Sequence, residues 1–205
     1  MSEFSIDAAT LRRAFTTALA FAGDDGTLPV LECLNFKPVD GGVEIAATDR
    51  YVMSWETVEA DGTPFALLIP THIVKRLLTM MPKGTVRKPV MGAVSFTKDG
   101  GRVAVRFVGE IVEFETEIAF NVPDFKGFPD VQKMIAKYSE TDPAEFVHEV
   151  HLNPHFVARV SKAIAARGSM EPLGVRLSTA AKPVQLTADG FNAIVMPVRA
   201  NGDVR

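Results

Sequence analysis

The sequence lacks the features that would place a protein outside the cell or in a membrane. It has a single cysteine, Cys33, among 205 residues, so no internal disulfide can form. No apolar run approaches the roughly 18 residues that a membrane span needs. Residues 1–13 carry an early acid and no apolar segment before their arginines, unlike a secretory signal peptide. We therefore predict a cytoplasmic protein.

Signals for catalysis and metal binding are also sparse. There is no glycine-rich phosphate loop and no nucleophile elbow. His148 and His151 would lie on opposite faces of a strand and His155 would open a helix, so the three do not converge on a metal. Cys33 lies among apolar residues and is predicted to be core, and Asp49, with no partner carboxylate, to be a turn residue. We predict no enzymatic activity, metal or cofactor.

Neither sign of charge dominates the chain. It has 25 acidic and 22 basic side chains, a net charge of −3, and 47% hydrophobic residues. These values are ordinary for a globular protein and do not by themselves suggest a nucleic-acid partner.

What the sequence does contain is a unit repeated three times, each built around one amphipathic helix. The first helix is predicted over residues 8–22, with Asp7 as its N-cap, and the second over Thr71–Met81, with Thr71 as its cap. The third helix follows Asn153 as N-cap, with Pro154 at its first position.

Strand-like segments surround each helix in the same order. A short strand precedes each helix: EFSI, FALLIP and VHEVHL. Three strand-like runs follow each helix, and tight turns separate two of them at 40–42, 98–101 and 188–190. The β-α-β-β-β pattern predicts an α+β fold with a two-unit domain at 1–122, a linker at 123–144 and a third unit at 145–205.

Cations and acids are distributed unequally among these elements. The helices carry no acid beyond their N-caps, whereas many acids fall in strands and loops. Cations near a helix C-terminus complement its dipole, which accounts for Lys162 and Arg167 but poorly for Arg12 and Arg13. We predict that the helices share a positive surface that contacts phosphates without reading bases. The residues predicted to contact the phosphates of a polyanion such as a nucleic acid are Arg12, Arg13, Lys75, Arg76, Arg159, Lys162 and Arg167.

Four motifs resemble those of the bacterial DNA sliding clamp, the DNA polymerase III beta subunit family. TLPVLECLNF resembles the segment after the first helix of such clamps, and ATDRYVMS resembles their ATDG-H/Y-R-L segment. FPDVQKMI resembles their FPDYRRVI interdomain linker, and IVMPVR resembles their C-terminal LMPVR. The resemblance covers nearly the whole chain and implies a DNA-clamp fold, shortened from six units to three. Arg50 replaces the ATDG glycine, and Gln132-Lys133 replace the arginines of YRR.

The resemblance also implies a pocket for short extended peptides of polymerase and clamp-loader subunits. Carried over by position, its residues are Thr48, Tyr51, Val52, Met53, Pro129, Lys133, Met134, Ile194, Met196, Pro197, Val198 and Arg199. Methionine and aliphatic side chains make an adaptable apolar groove, and the cations would orient the peptide.

Rings of the family enclose duplex DNA with about twelve units, so three units per chain imply a tetramer. We expect two-fold contacts that pair third unit with third unit and first unit with first unit. Two alternatives stay open: a non-encircling decoy or adaptor that binds clamp-partner peptides, and an unrelated α+β enzyme. The oligomeric mass tests the first alternative, and the lack of converging catalytic groups disfavours the second.

Overall fold

The computed structural model describes residues 2–24, 26–81, 92–109, 115–125, 127–139, 149–168 and 171–199. The first unit comprises β1 (Ser2–Asp7), α1 (Ala8–Leu19), β2 (Cys33–Val39), β3 (Gly42–Thr48) and β4 (Val52–Glu59), followed by the short β5 (Asp61–Gly62). The second unit comprises β6 (Leu67–Pro70), α2 (Thr71–Met80), β7 (Gly92–Asp99), β8 (Arg102–Gly109) and β9 (Glu115–Asn121). Then come α3 (Val131–Ser139) and a third unit of α4 (Pro154–Arg167), β10 (Gly174–Arg176), β11 (Val184–Ala188) and β12 (Phe191–Val195).

Two of the three predicted helix caps are confirmed. The Asp7 carboxylate accepts a hydrogen bond from the Thr10 N–H at 2.8 Å, and the Asn153 side chain accepts one from the His155 N–H at 2.9 Å. The cap assigned to Thr71 is wrong, because Pro70 occupies the N-cap position and makes no side-chain capping bond. The predicted turns join β2 to β3, β7 to β8 and β11 to β12 as antiparallel pairs.

The first two units exchange strands. The leading strand β1 pairs with β7 of the second unit, and β6 pairs with β2 of the first unit. One resulting sheet has the order β5-β1-β7-β8-β9, and the other runs β10-β11-β12-β4-β3-β2-β6. Because each unit supplies a strand to the other's sheet, neither sheet can form from one unit alone.

The third unit is joined to the first by the pairing of β12 with β4. The register places Ile194 opposite Met53 and Asn192 opposite Trp55. The first unit therefore lies between the second and the third. The expected contact between first units of two chains is wrong in this respect, because that edge of β4 is already paired within the chain.

The strand predicted from VHEVHL differs from the other leading strands. Residues 147 and 148 lie outside the described ranges, and residues 149–152 make only an isolated bridge between Leu152 and Pro197.

A helix within the segment predicted as a linker was missed from the sequence. In α3, Val131, Met134 and Ile135 lie on one side and pack on the seven-stranded sheet. Asp130 begins the helix, since its carboxylate accepts the Lys133 N–H at 3.1 Å, and this bond is the main cause that lowers the Asp130 pKa. The i, i+3, i+4 apolar spacing was available in the sequence, but the surrounding prolines and charges obscured it.

The main core lies between the sheets and the layer formed by α2, α1 and α4. Helix α1 contacts α2 on one side and α4 on the other. Phe4 stacks on Phe96 with 4.7 Å between ring centroids, and Phe36 lies 5.7 Å from Phe96. We call this layer the helix layer, and the opposite face of the seven-stranded sheet, where α3 packs, the outer face.

Candidate functional site

The predicted DNA-contacting cations lie on the three helices of the helix layer, and three of them make contacts within the chain. Arg12 of α1 donates two hydrogen bonds to carbonyls at the end of α2, to Leu78 O at 2.7 Å and Met81 O at 3.0 Å. Burial lowers the Arg12 pKa from its ordinary value. The side chain thus satisfies carbonyls that a helix end leaves unpaired and fixes α1 against α2.

Arg159 performs the same task between α4 and α1. Its guanidinium donates to the carbonyl of Ala20, just past α1, and to the carboxylate of Asp49 in the turn before β4. Asp49 is a turn residue as predicted: its other oxygen accepts the N–H groups of Tyr51 and Val52, each at 2.9 Å.

Arg167 is buried, so it does not belong to an exposed DNA-contacting surface. Its guanidinium donates to Glu56 of β4 at 2.8 Å, with the two side chains 2% and 5% exposed. This pair joins the third unit to the first. The sequence could not distinguish this pairing from a helix-end cation, because Glu56 is far away along the chain.

Besides Arg12, Arg159 and Arg167, four predicted DNA-contacting cations lie on the helix layer. Lys75, Arg76 and Lys162 are exposed, and Arg13 is half-buried. They are distributed over all three helices of the layer, as expected for a surface that follows a duplex rather than a single phosphate site.

On the outer face, the β4–β12 junction carries a second apolar cluster, which we call the outer cluster. Its buried members are Ala46, Met53, Val131 and Ile194, and Trp55, Phe128, Met134 and Ile135 pack against it. The structure therefore brings together three predicted pocket residues from distant parts of the chain: Met53, Met134 and Ile194.

Among the remaining predicted pocket residues, Tyr51, Met196 and Val198 are hydrogen-bonded just beyond the end of β12. The Met196 N–H donates to Tyr51 O at 2.9 Å, and the Val198 N–H donates to His151 O at 2.8 Å. Tyr51 is 38% exposed and its ring stacks on Phe156 of α4 at 6.0 Å. Lys133 and Arg199 are exposed, Pro129 and Met196 are half-buried, and Pro197 and Val198 are buried.

Two predicted pocket residues are occupied elsewhere. Val52 is 1% exposed and belongs to the main core, because side chains alternate along a strand and its neighbour Met53 faces the outer cluster. Thr48 is 2% exposed, and its hydroxyl donates to Val52 O at 2.8 Å within the turn.

The outer cluster opens into a cleft of about 380 Å³ that the sequence did not predict. Apolar lining residues include Trp55, Ile135 and Val175, and polar groups come from residues that include Gln185, Thr187 and Asn192. In the sequence, the alternation of Met53 and Trp55 along β4 indicated that the two side chains share one face of the sheet. Predicting the cleft also required knowing which face of the sheet α3 covers.

Arg50 adopts a backbone conformation that favours glycine, with φ of 87°. Its guanidinium lies 5.8 Å from the centre of the Tyr51 ring. Arg50→Gly is expected to raise the free energy of unfolding by about 1 kcal/mol, since a left-handed conformation strains a residue with a Cβ. Arg50→Ala keeps the backbone strain and removes the cation from the Tyr51 ring. Its free energy of unfolding, measured with urea, should therefore be lower than that of the original protein. Equal free energies of unfolding for the two variants would contradict the prediction that the backbone at position 50 is strained.

Among the described residues, neither a cluster of metal ligands nor an exposed thiol is found at these surfaces. Over the described ranges, no three His, Cys, Asp or Glu side chains converge as metal ligands. Cys33 is 1% exposed, and burial together with nearby Glu32 raises its pKa to about 11, so the thiol stays protonated at neutral pH. In this part of the chain, no helix has the length and apolarity to cross a membrane.

Solved structures of bacterial clamps superpose on nearly the whole chain. The DNA polymerase III beta subunit of Thermotoga maritima has a TM-score of 0.73 at 14% identity, over 98% of this chain and 65% of that one. The beta chain of Streptococcus pneumoniae gives 0.69 at 9% identity over 98% and 66%. The DNA polymerase sliding clamp of Bacillus subtilis gives 0.68 at 13% identity over 97% and 64%.

The match spans about two thirds of the length of these clamps. No protein-family model and no curated protein sequence matches the chain. At such low identity the shared property is the arrangement of helices and strands, and it confirms the fold expected from the four motifs. The chain has the fold of the bacterial DNA polymerase sliding clamp.

Proposed function

We propose that this protein is a non-enzymatic sliding clamp that encircles duplex DNA and tethers a replicative polymerase in the cytoplasm. The observation that supports it most is the separation of two surfaces on one fold: exposed cations on the helix layer and an apolar cluster with a cleft on the outer face. A clamp needs a surface that holds phosphates without reading sequence and another that binds a protein.

On the helix layer, we propose that Lys75, Arg76 and Lys162 contact phosphates, with Arg13 at the edge of the surface. Arg12 and Arg159 shape this surface by holding the helices together, and Arg167 is left out of it. Such contacts suit a ring that must move along the duplex, because each phosphate contact is weak and is replaced by another as the ring moves.

On the outer face, we propose that an extended peptide inserts apolar side chains near Met53, Met134, Ile194 and Met196. The cleft beside Trp55 would accept the next peptide residues, and Lys133 or Arg199 would orient a peptide carbonyl or carboxylate. The paired strands β4 and β12, which carry the buried Met53 and Ile194, provide a rigid floor for this site.

We propose further that four chains close the ring. In space the first unit lies between the second and the third, so the second and third units are at the two ends of each folded chain. Strand β9 lies at a sheet edge of the second unit, and β4 paired with β12 shows how last strands of two units join. A β9–β9 contact and a third-unit contact, each two-fold, would complete a closed ring.

Changing Lys75, Arg76 and Lys162 together to alanine should weaken binding to duplexes of any sequence. Removing one cation that binds a phosphate reduces the slope of log K against log salt by about 0.9. Fluorescence anisotropy of a labelled duplex over a salt series measures both effects. The matched control changes Arg102, Arg106 and Arg176, three exposed cations on strands, and should leave binding near that of the unaltered protein.

Equal weakening of binding in both triple variants would contradict a DNA-contacting helix layer. Absence of DNA binding by the unaltered protein, with peptide binding retained, would instead favour the non-encircling adaptor. The internal use of Arg12, Arg159 and Arg167 is the observation that keeps this second function open.

A further inference from the structure

The first two units show how a unit of this fold completes its core. Each leading strand lies beside the first strand that follows the helix of the other unit: β1 beside β7, and β6 beside β2. Buried side chains meet across both junctions, with Ile6 opposite Val94 and Ile69 opposite Leu34. Reciprocal exchange is therefore the rule by which two units close one domain here.

The third unit has both parts of this exchange but no described partner for either. Strand β10 is the first strand after α4 and lies at the end of its sheet in the described residues. Residues 149–152 precede α4, as β1 precedes α1. One side of this segment is held by its own chain, through the Leu152–Pro197 bridge and the hydrogen bond from Val198 N–H to His151 O.

Strand β1 has the same one-sided arrangement when its pairing with β7 is left out of the comparison. Strand β1 is held on one side by the segment after β4, where Phe4 pairs with Gly62 and the Thr63 N–H donates to Glu3 O at 2.8 Å. On its other side β1 pairs with β7. The equivalent side of residues 149–152 is where a further strand would lie.

An apolar face is exposed beside this edge. Val175 of β10 is 59% exposed although it lies opposite Leu186, which is 6% exposed and part of the main core. Leu173 and Leu177 flank it at two-residue spacing, and Val157 of α4 is 44% exposed. Opposite residues of antiparallel strands share a face, so the core of the third unit continues into this patch.

We propose that a second copy of this chain covers the patch by two-fold strand exchange between third units. Residues 149–152 of each copy pair antiparallel with β10 of the other, with Leu152 opposite Val175. This register aligns apolar side chains as at the two junctions within the chain. A second copy is the fitting occupant because it carries both complementary parts, and one two-fold axis satisfies both at once.

This inference deepens the ring assembly of the proposed function by specifying one of its two contacts, yet it depends on neither DNA nor peptide binding. Val175→Asp should halve the mass of the assembly measured by light scattering without DNA, because two carboxylates would be buried at the junction. Ala181→Asp adds the same charge in an exposed turn of the third unit and should keep the original mass.

Cysteine cross-linking tests the register directly in the full chain. A Leu152→Cys, Val175→Cys variant should form a reducible dimer on mild oxidation, while Leu152→Cys with Thr187→Cys should not. The unaltered chain, which contains only the buried Cys33, corrects for background.

The outcomes separate this contact from the ring. An unaltered protein of twice the 22.2 kDa chain mass that dissociates with Val175→Asp supports the exchange and overturns the four-chain ring. A monomeric unaltered protein at tens of micromolar, or a folded Val175→Asp variant of unchanged mass, overturns the exchange. If Val175→Asp does not fold, the cross-link decides: its absence in a folded double-cysteine variant also overturns the proposal.

Discussion

Arg167→Ala is expected to lower the free energy of unfolding by roughly 3–5 kcal/mol, since it leaves the buried Glu56 carboxylate without its partner. The pair links α4 to β4, so the substitution should first release the third unit from the first. Replacing both members with apolar residues, as in Glu56→Leu with Arg167→Met, should recover much or all of the stability.

Trp55, the sole tryptophan of the sequence, reports on this junction because it lies opposite Asn192 across β4 and β12. Urea unfolding followed by its fluorescence measures the effect. Lys162→Ala, an exposed change on the same helix, should stay within about 0.5 kcal/mol of the original stability. Unchanged stability of Arg167→Ala, combined with weaker DNA binding, would return Arg167 to the DNA-contacting set.

Met196→Asp is expected to weaken binding of a partner peptide on the order of a hundredfold. Met196 follows Ile194 by two positions, and its N–H continues the pairing with the first unit through Tyr51 O, so alternation directs it to the outer face. A carboxylate there would lose water on peptide binding with no partner, at a cost of a few kcal/mol.

Titration calorimetry with a synthetic peptide from the tail of a bacterial replicative polymerase measures this weakening. Ala181→Asp, which adds the same charge in an exposed turn, should bind as the unaltered protein does. Met196→Asp should retain duplex binding, because the helix layer lies on the opposite side of the sheet. Unchanged peptide affinity would remove the outer cluster as the peptide site.

Local sequence signals were enough to predict the repeated pattern, because helix and strand periodicity, caps and turns act over a few neighbouring residues. Asp7, Asn153 and the turn at Asp189-Gly190 each acted as their local sequence predicts. The four motifs were sufficient to predict the fold, since they lie in order along nearly the whole chain. The sequence signal for α3 was missed because its periodic apolar residues lie among prolines and charged residues.

The exposure of individual cations and the convergence of distant apolar residues became visible only in the folded chain. Arg12, Arg159 and Arg167 carry the same charge as Lys75, but their partners are carbonyls and carboxylates on other elements. Met53, Met134 and Ile194 meet because β12 pairs with β4 and α3 covers that junction. Such contacts depend on strand pairing between distant segments. The free energy of that pairing comes from many residues across the whole sheet, so no short stretch of sequence predicts it.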